Sequence, residues 1–294
     1  MMKMKLKINT SYFYILPALI FLASISFYPL IRTIYLSFTK YDLSLGAKNP
    51  EFIGLKNYLT LISDENFITS LQATIILTFT TVTAECAIGL IMALVLNENF
   101  RGRGALRTLL LLPWGIPAVV EGQMWRYLFN DQFGAVNDLL YRLGIISSYK
   151  AWLAEPNTAI LAIIVAETWA TSIFVGLILL GGLQSIPEEL YDAAKVDGAG
   201  RWRRFISVTL PLLKAPFVVA LVFRTNQAFF MFDVVYVMTG GGPGGSTRTL
   251  AVYAYDTYFY YLNFGYGATL AVIHFTLGLI IALIYLRIMR IRLE

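Results

Sequence analysis

Six long apolar runs separated by short polar stretches set the pattern of this chain: roughly Tyr12–Leu36, Phe67–Leu96, Leu109–Phe129, Ala159–Gly182, Leu212–Met238 and Tyr266–Ile288. A helix needs about 20 mostly apolar residues to cross the hydrocarbon core of a bilayer, so the pattern predicts an all-α membrane protein with six transmembrane helices. The first run follows MMKMKLK, but it is longer than the apolar region of a signal peptide and shows no small-residue cleavage site. It is therefore expected to stay as the first span. The third run contains Pro113 and Pro117, which predict a kink, tolerated where neighbouring helices satisfy the freed backbone groups. Residues 1–66 then read as a tail, first span and outer loop, and residues 67–294 as the core.

Composition agrees with this pattern. Hydrophobic residues make up 57% and charged residues 14%, whereas a soluble domain carries about a quarter charged. The net charge of +5 does not point to nucleic acid, because the Lys and Arg residues sit in short clusters and not on one basic face. The single cysteine, Cys86, rules out an internal disulfide framework.

Those clusters orient the chain, since cytoplasmic loops carry an excess of Lys and Arg. With both ends inside, one side holds fourteen: Lys3, Lys5, Lys7, Arg101, Arg103, Arg107, Lys195, Arg201, Arg203, Arg204, Lys214, Arg287, Arg290 and Arg292. The other side holds eight, and the reverse topology inverts the bias. Both termini and the loop over residues 185–211 are thus expected to be cytoplasmic. On the outer side, Val136, Leu139, Leu140 and Leu143 fall on one helical face, which predicts an interfacial helix. The run TGGGPGGST, residues 239–247, reads as a loop.

The 185–211 loop is the most charged stretch of the chain. Ser185-Ile-Pro-Glu188 reads as a capping box that starts a short helix. Gly198 and Gly200 break that helix, a second begins near Arg201, and Pro211 marks the entry to the fifth span. On these grounds alone the loop could equally be a basic stretch lying on lipid headgroups.

The sequence Asp192-Ala193-Ala194, then Gly198, then Val208-Thr209-Leu210-Pro211 resembles the signature of ABC importer permeases. That signature is Glu-Ala-Ala, three residues, Gly, nine residues, Ile-x-Leu-Pro; this chain departs from it by Asp for Glu and Val for Ile. FIGLKNY, GAVNDLLYRLG, FFMFDVVYVMTGGGPGGSTRTLAVYAYDTYF and NFGYGATLAV resemble the carbohydrate branch, the maltose- and glycerol-phosphate-type importers. The resemblance covers nearly the whole chain. It implies a type I importer permease fold and a coupling loop, with Glu189, Asp192, Ala193, Ala194, Asp197, Gly198, Arg201 and Pro211 meeting a separate ATPase. It also implies a second homologous permease, a dimer of ATP-binding subunits and an extracytoplasmic sugar-binding protein. The extra N-terminal spans and large outer domain of the enteric maltose permease are not expected here.

GGGPGGST has the glycines of a phosphate-binding loop but not its Gly-Lys-Ser/Thr ending. No cofactor or metal is therefore expected on this chain, with ATP and Mg used by the partner ATPase.

Ionisable groups within spans are costly and mark candidate function. They are Glu85, Glu121, Glu167, Arg224, Asp233 and His274. Carboxylates and amides match sugar hydroxyls and aromatic faces match the C–H side of the ring, which makes Glu121, Trp125, Glu167, Trp169, Asn226, Gln227, Phe230, Asp233 and Tyr236 the substrate-path candidates. Glu85 could instead pair with a basic group of a neighbouring helix, and Arg224 reads as structural or at the interface with the second permease. His274, the only histidine, reads as a hydrogen-bonded packing group. The expected function is the permease subunit of an ATP-driven importer for a di- or oligosaccharide such as an α-glucoside. The alternatives are a permease for a phosphorylated polyol such as glycerol 3-phosphate and a proton-coupled secondary transporter, which usually shows internal repeats.

Overall fold

The computed structural model describes residues 11–293, with side chains from Tyr14 to Arg287. Lys3, Lys5 and Lys7 lie outside the described residues, as do the side chains of Arg290 and Arg292. Four helices are long and apolar enough to cross a membrane: Tyr14–Ser37, Glu65–Asn97, Pro156–Gln184 and Phe264–Arg287, here spans one, two, four and six. Two bent pairs bring the number to six: Arg103–Gly115 with Ala118–Leu128 as span three, and Arg201–Leu212 with Lys214–Phe229 as span five.

Spans three and five are not the single helices that the apolar runs suggest. The halves of span three meet at 96°. Pro117 has no N–H and pushes its predecessor out of the helical region, and Ile116 is accordingly extended, with φ −80° and ψ 130°. Span five bends by 60° next to Leu213, where Pro216 cannot donate to the Leu212 carbonyl. It also stops early, at Phe229, and Asp233–Met238 is a separate short helix. A broken helix leaves carbonyls without partners. His274 Nε2 donates to Phe229 O at 3.0 Å and Thr249 Oγ1 to Met231 O at 3.0 Å, so the break is satisfied by side chains.

The chain folds as two compact units, one of residues up to Ser63 with Ala254–Ile273, the other of Asp64–Tyr253 with the segment from His274 onward. The first holds span one and a feature that the apolar pattern does not show, a two-residue antiparallel pairing of Thr39–Lys40 with Glu51–Phe52. Asn57 fixes it, its amide donating to Ser37 O at 3.0 Å and Thr39 O at 2.9 Å.

The second unit is built around spans two and four. Their close approach depends on glycine: a Cβ on Gly89 would lie 2.7 Å from Val175 Cβ and 2.9 Å from Ser172 O, and one on Gly176 would lie 3.3 Å from Gly89 O. With no hydrophobic drive between helices in lipid, such small-residue contacts hold spans together through dispersion. In the same unit, the helix Ala135–Arg142 leaves Leu139 and Leu143 exposed. Its Asn137 is fully buried, donating to Asn130 O and Lys150 O and accepting from Lys150 N and Trp152 Nε1, all at 2.8–3.1 Å. The glycine run forms a turn in which Gly240, Gly241, Gly244 and Gly245 have positive φ.

Candidate functional site

Two features of the second unit bear on function: a charged cluster within the spans and a knob between spans four and five.

The cluster follows from the glycine contact. Glu85 lies one turn before Gly89, so the approach of spans two and four carries its carboxylate inward until the residue is wholly buried. A buried charge must be paired or hydrogen-bonded, and Arg224 of span five supplies both. Arg224 Nε donates to Glu85 Oε2 at 2.7 Å and Nη2 to Glu85 Oε1 at 2.7 Å, a bidentate pair. Nη2 also donates to Glu167 Oε1 of span four at 3.0 Å, and Nη1 to Gln227 Oε1 at 2.5 Å. Thr171 Oγ1 stands 2.8 Å from Glu85 Oε1 and 2.6 Å from Glu167 O, sharing its one proton between them. Three spans are thus tied at one guanidinium, whose charge two carboxyl groups cover.

Of the substrate-path candidates, the structure gathers Glu167 and Gln227 on Arg224. Glu121 is buried within electrostatic reach of Glu167 and Arg224, and its Oε1 has no hydrogen-bond partner among the described residues. One turn on, the Trp125 ring meets the edge of Trp169 at 5.7 Å and stacks on Phe129 at 5.5 Å, while its buried Nε1 likewise has no partner among the described residues. Asn226 is half-buried on span five. The others stand elsewhere. Phe230 follows the end of span five, with its ring 4.6 Å from His274. Asp233 opens the short helix and is exposed, and Tyr236 on that helix stacks on Phe232 at 5.1 Å. Sequence reasoning did not find the centre of the cluster. Glu85 does pair with a basic group of a neighbouring helix, as its place in an apolar run allowed, and Arg224 is structural; two carboxylates and one guanidinium on separate spans were the signal that could have joined them. An apolar groove of about 600 Å³, lined by residues such as Phe79, Val82, Phe217 and Tyr285, presents no charged group.

The knob begins with the helix Glu188–Val196. The expected capping box is not made: Pro187 occupies the cap position, and Ser185 Oγ donates to Gly182 O at 2.8 Å instead. Proline between the two serves because its fixed φ suits a helix start and the first turn lacks partners for its N–H groups anyway. The helix ends in a Schellman turn, with Gly198 N donating to Lys195 O at 3.0 Å and Ala199 N to Ala194 O at 2.9 Å. Gly198 takes φ +76°, which an L side chain adopts only with strain. The signature glycine is therefore a backbone requirement of the turn. The helix Arg201–Arg204 follows. Glu189, Asp192, Ala193, Asp197, Gly198, Arg201 and Pro211 are all exposed, with Ala194 half-buried. Tyr191 Oη and Thr209 Oγ1, 3.0 Å apart, tie the knob to the start of span five. A cavity of about 480 Å³ lies beside the knob, lined by Asn97, Arg103, Glu188, Tyr191 and Arg204 among others.

A membrane-spanning helical bundle with an exposed loop knob defines a class of transport component, and comparison with known proteins gives its family. Residues 86–291 match the family of binding-protein-dependent transport system inner membrane components. The chain is 44% identical over 275 residues to the sulfoquinovosyl glycerol transport system permease protein of Agrobacterium fabrum, covering 93% of this chain and 88% of that protein. It is 39% identical over 281 residues to the trehalose/maltose transport system permease protein of Thermococcus litoralis, covering 96% and 94%. Among solved structures it resembles a chain of a bacterial ABC transporter involved in the import of the acidic polysaccharide alginate, with TM-score 0.83 and 23% identity over 96% of this chain and 95% of that one. This chain belongs to the family of binding-protein-dependent transport system inner membrane components. It is a multi-pass membrane permease with the type I importer fold.

Proposed function

We propose that this chain is the permease subunit of an ATP-driven importer that carries a di- or oligosaccharide, such as an α-glucoside, into the cell. The observation that carries this reading is the Arg224 cluster. It holds a carboxylate and an amide, which match sugar hydroxyls, within the spans, and the Trp125–Trp169 pair supplies the aromatic faces that match the sugar C–H side. The names of the relatives from Agrobacterium fabrum and Thermococcus litoralis support a carbohydrate cargo.

In this reading both termini face the cytoplasm, a second homologous permease completes the path, and an extracytoplasmic sugar-binding protein delivers cargo. A solved alginate transporter holds an alginate pentasaccharide-bound periplasmic protein, which supports such a partner. A dimer of ATP-binding subunits, using ATP and Mg, docks on the knob around Asp192–Gly198. Its closure draws the knobs together and rocks the bundles between inward- and outward-facing states, a rigid-body change. The small side chains of Ala193 and Ala194 permit close approach there. A phosphorylated polyol is the weaker cargo, because Arg224 is committed to Glu85 and Glu167 and does not serve as an anion receptor.

The test is ATPase activity of the assembled complex in liposomes, with its binding protein, against a panel of sugars and glycerol 3-phosphate. Stimulation by α-glucosides is the expected result. Stimulation by glycerol 3-phosphate alone would remove the sugar and keep the permease.

A further inference from the structure

We infer that Arg224 is a positioning residue, fixing Gln227 and Glu167 as a donor–acceptor pair that holds two adjacent hydroxyls of the passing sugar. This rests on the carbohydrate reading above and deepens it. A guanidinium has five N–H donors and no acceptor. Glu85 takes Nε and one Nη2 proton, Glu167 Oε1 takes the other Nη2 proton, and Gln227 Oε1 takes one from Nη1. Because arginine can only donate, Gln227 has to turn its amide oxygen toward the guanidinium. Its amide nitrogen, with two donors, is thereby aimed away from it. Among the described residues that nitrogen makes no hydrogen bond, and the Gln227 side chain is exposed.

Glu167 is constrained in the same manner. One oxygen is held by Nη2, while Oε2 receives no hydrogen bond among the described residues, and the side chain is 13% exposed. A free donor and a free acceptor therefore hang from the two adjacent terminal nitrogens of one planar fork. A sugar hydroxyl both donates and accepts. Of two neighbouring hydroxyls, one can accept from Gln227 while the other donates to Glu167. Glu85 is the anchor of this arrangement: wholly buried and gripping the opposite side of the guanidinium in two bonds, it leaves Arg224 no other orientation. Polar groups set in advance spend less free energy on ordering when the cargo arrives.

The experiment compares wild-type, Gln227→Leu and Gln227→Glu chains, each assembled with the second permease, the ATPase subunits and the binding protein in proteoliposomes. Labelled trehalose and maltose are the probes, and uptake per ATP hydrolysed is the readout. Gln227→Glu can still accept the bond from Arg224 but offers an acceptor where the sugar needs a donor. It separates positioning for cargo from a purely structural role. Both variants are expected to lower uptake per ATP about tenfold, the scale of one lost hydrogen bond, with assembly within about twofold of wild type. Unchanged uptake per ATP in both variants, or equal losses of uptake and of assembly in Gln227→Glu, would overturn the assignment. If the wild-type complex hydrolyses ATP but imports neither sugar, the carbohydrate reading fails first, and this assignment falls with it.

Discussion

The knob over Glu188–Arg204 and the Arg224 cluster are both rich in charge, and they handle it in opposite ways. In the knob, the Lys195–Asp192 pair is local, one turn apart at 2.7 Å, with both side chains more than half exposed. In the cluster, Glu85 and Arg224 are 139 residues apart in sequence and their side chains are 0% and 4% exposed. Water solvates the first pair whether or not it forms. Protein groups alone solvate the second pair, Glu85 by Arg224 and Thr171 and Arg224 by Glu85, Glu167 and Gln227. The same chemical groups thus serve an exposed surface open to solvent and an interior that has to remain in one arrangement.

The largest effect that can break this contrast is Arg224→Ala, which strands the Glu85 carboxylate. It is expected to cost about 3–5 kcal/mol, read as loss of folded protein and a lower Tm in detergent. Glu85→Ala with Arg224→Ala is expected to recover part of that loss, since the double change leaves no orphan between those two groups; a double variant as damaged as the sum of the singles would show that the pair is not coupled. Next comes Gly89→Val, which forces a side chain against Val175 and Ser172 and is expected to cost about 1–3 kcal/mol by the same melting measurement. Smaller again is Gly198→Ala. The φ of +76° makes it cost about 1 kcal/mol, and because the site is open the loss is expected to come from backbone strain alone. At the bottom for stability are Asp192→Ala, within about 0.5 kcal/mol for an exposed pair, and Ala193→Trp, expected to leave insertion and Tm unchanged. Ala193→Trp sharpens the comparison, because it should nonetheless uncouple ATP hydrolysis from uptake. Sugar-stimulated ATPase and uptake equal to wild type would remove the docking role from the knob.

The parts of the molecule legible in the sequence were those fixed by local rules. The apolar lengths placed spans one, two, four and six within a few residues, because a bilayer demands length and little else. Pro117 announced a bend without its size: 96° depends on where the second half finds packing, and Gly122 there lies against Val237 of the separate short helix. The end of span five at Phe229 was hidden. Phe230, Met231 and Phe232 continue the apolar run without a Gly or Pro, and the break is tolerated only because His274 and Thr249, far along the chain, satisfy its carbonyls. The short segments that carried the family resemblance proved to be turns and loop anchors: Asn57, Asn137 and the positive-φ glycines each fix a loop by backbone geometry. The cluster was the least legible feature. Glu85, Glu167, Thr171 and Arg224 come from three spans, and one sequence records which charges lie within spans but not which helices meet.

The exposed apolar groups of the knob bear on how such a chain survives before it finds its partners. Val196 is 88% exposed and Trp202 72% exposed, with Trp202 stacked on Phe205 at 5.6 Å. Proteolytic quality control recognises sticky, accessible segments of this kind. Under the proposed docking of an ATPase on the knob, a permease made in excess over that subunit would display them continuously, and its lifetime in the cell would follow the supply of the subunit.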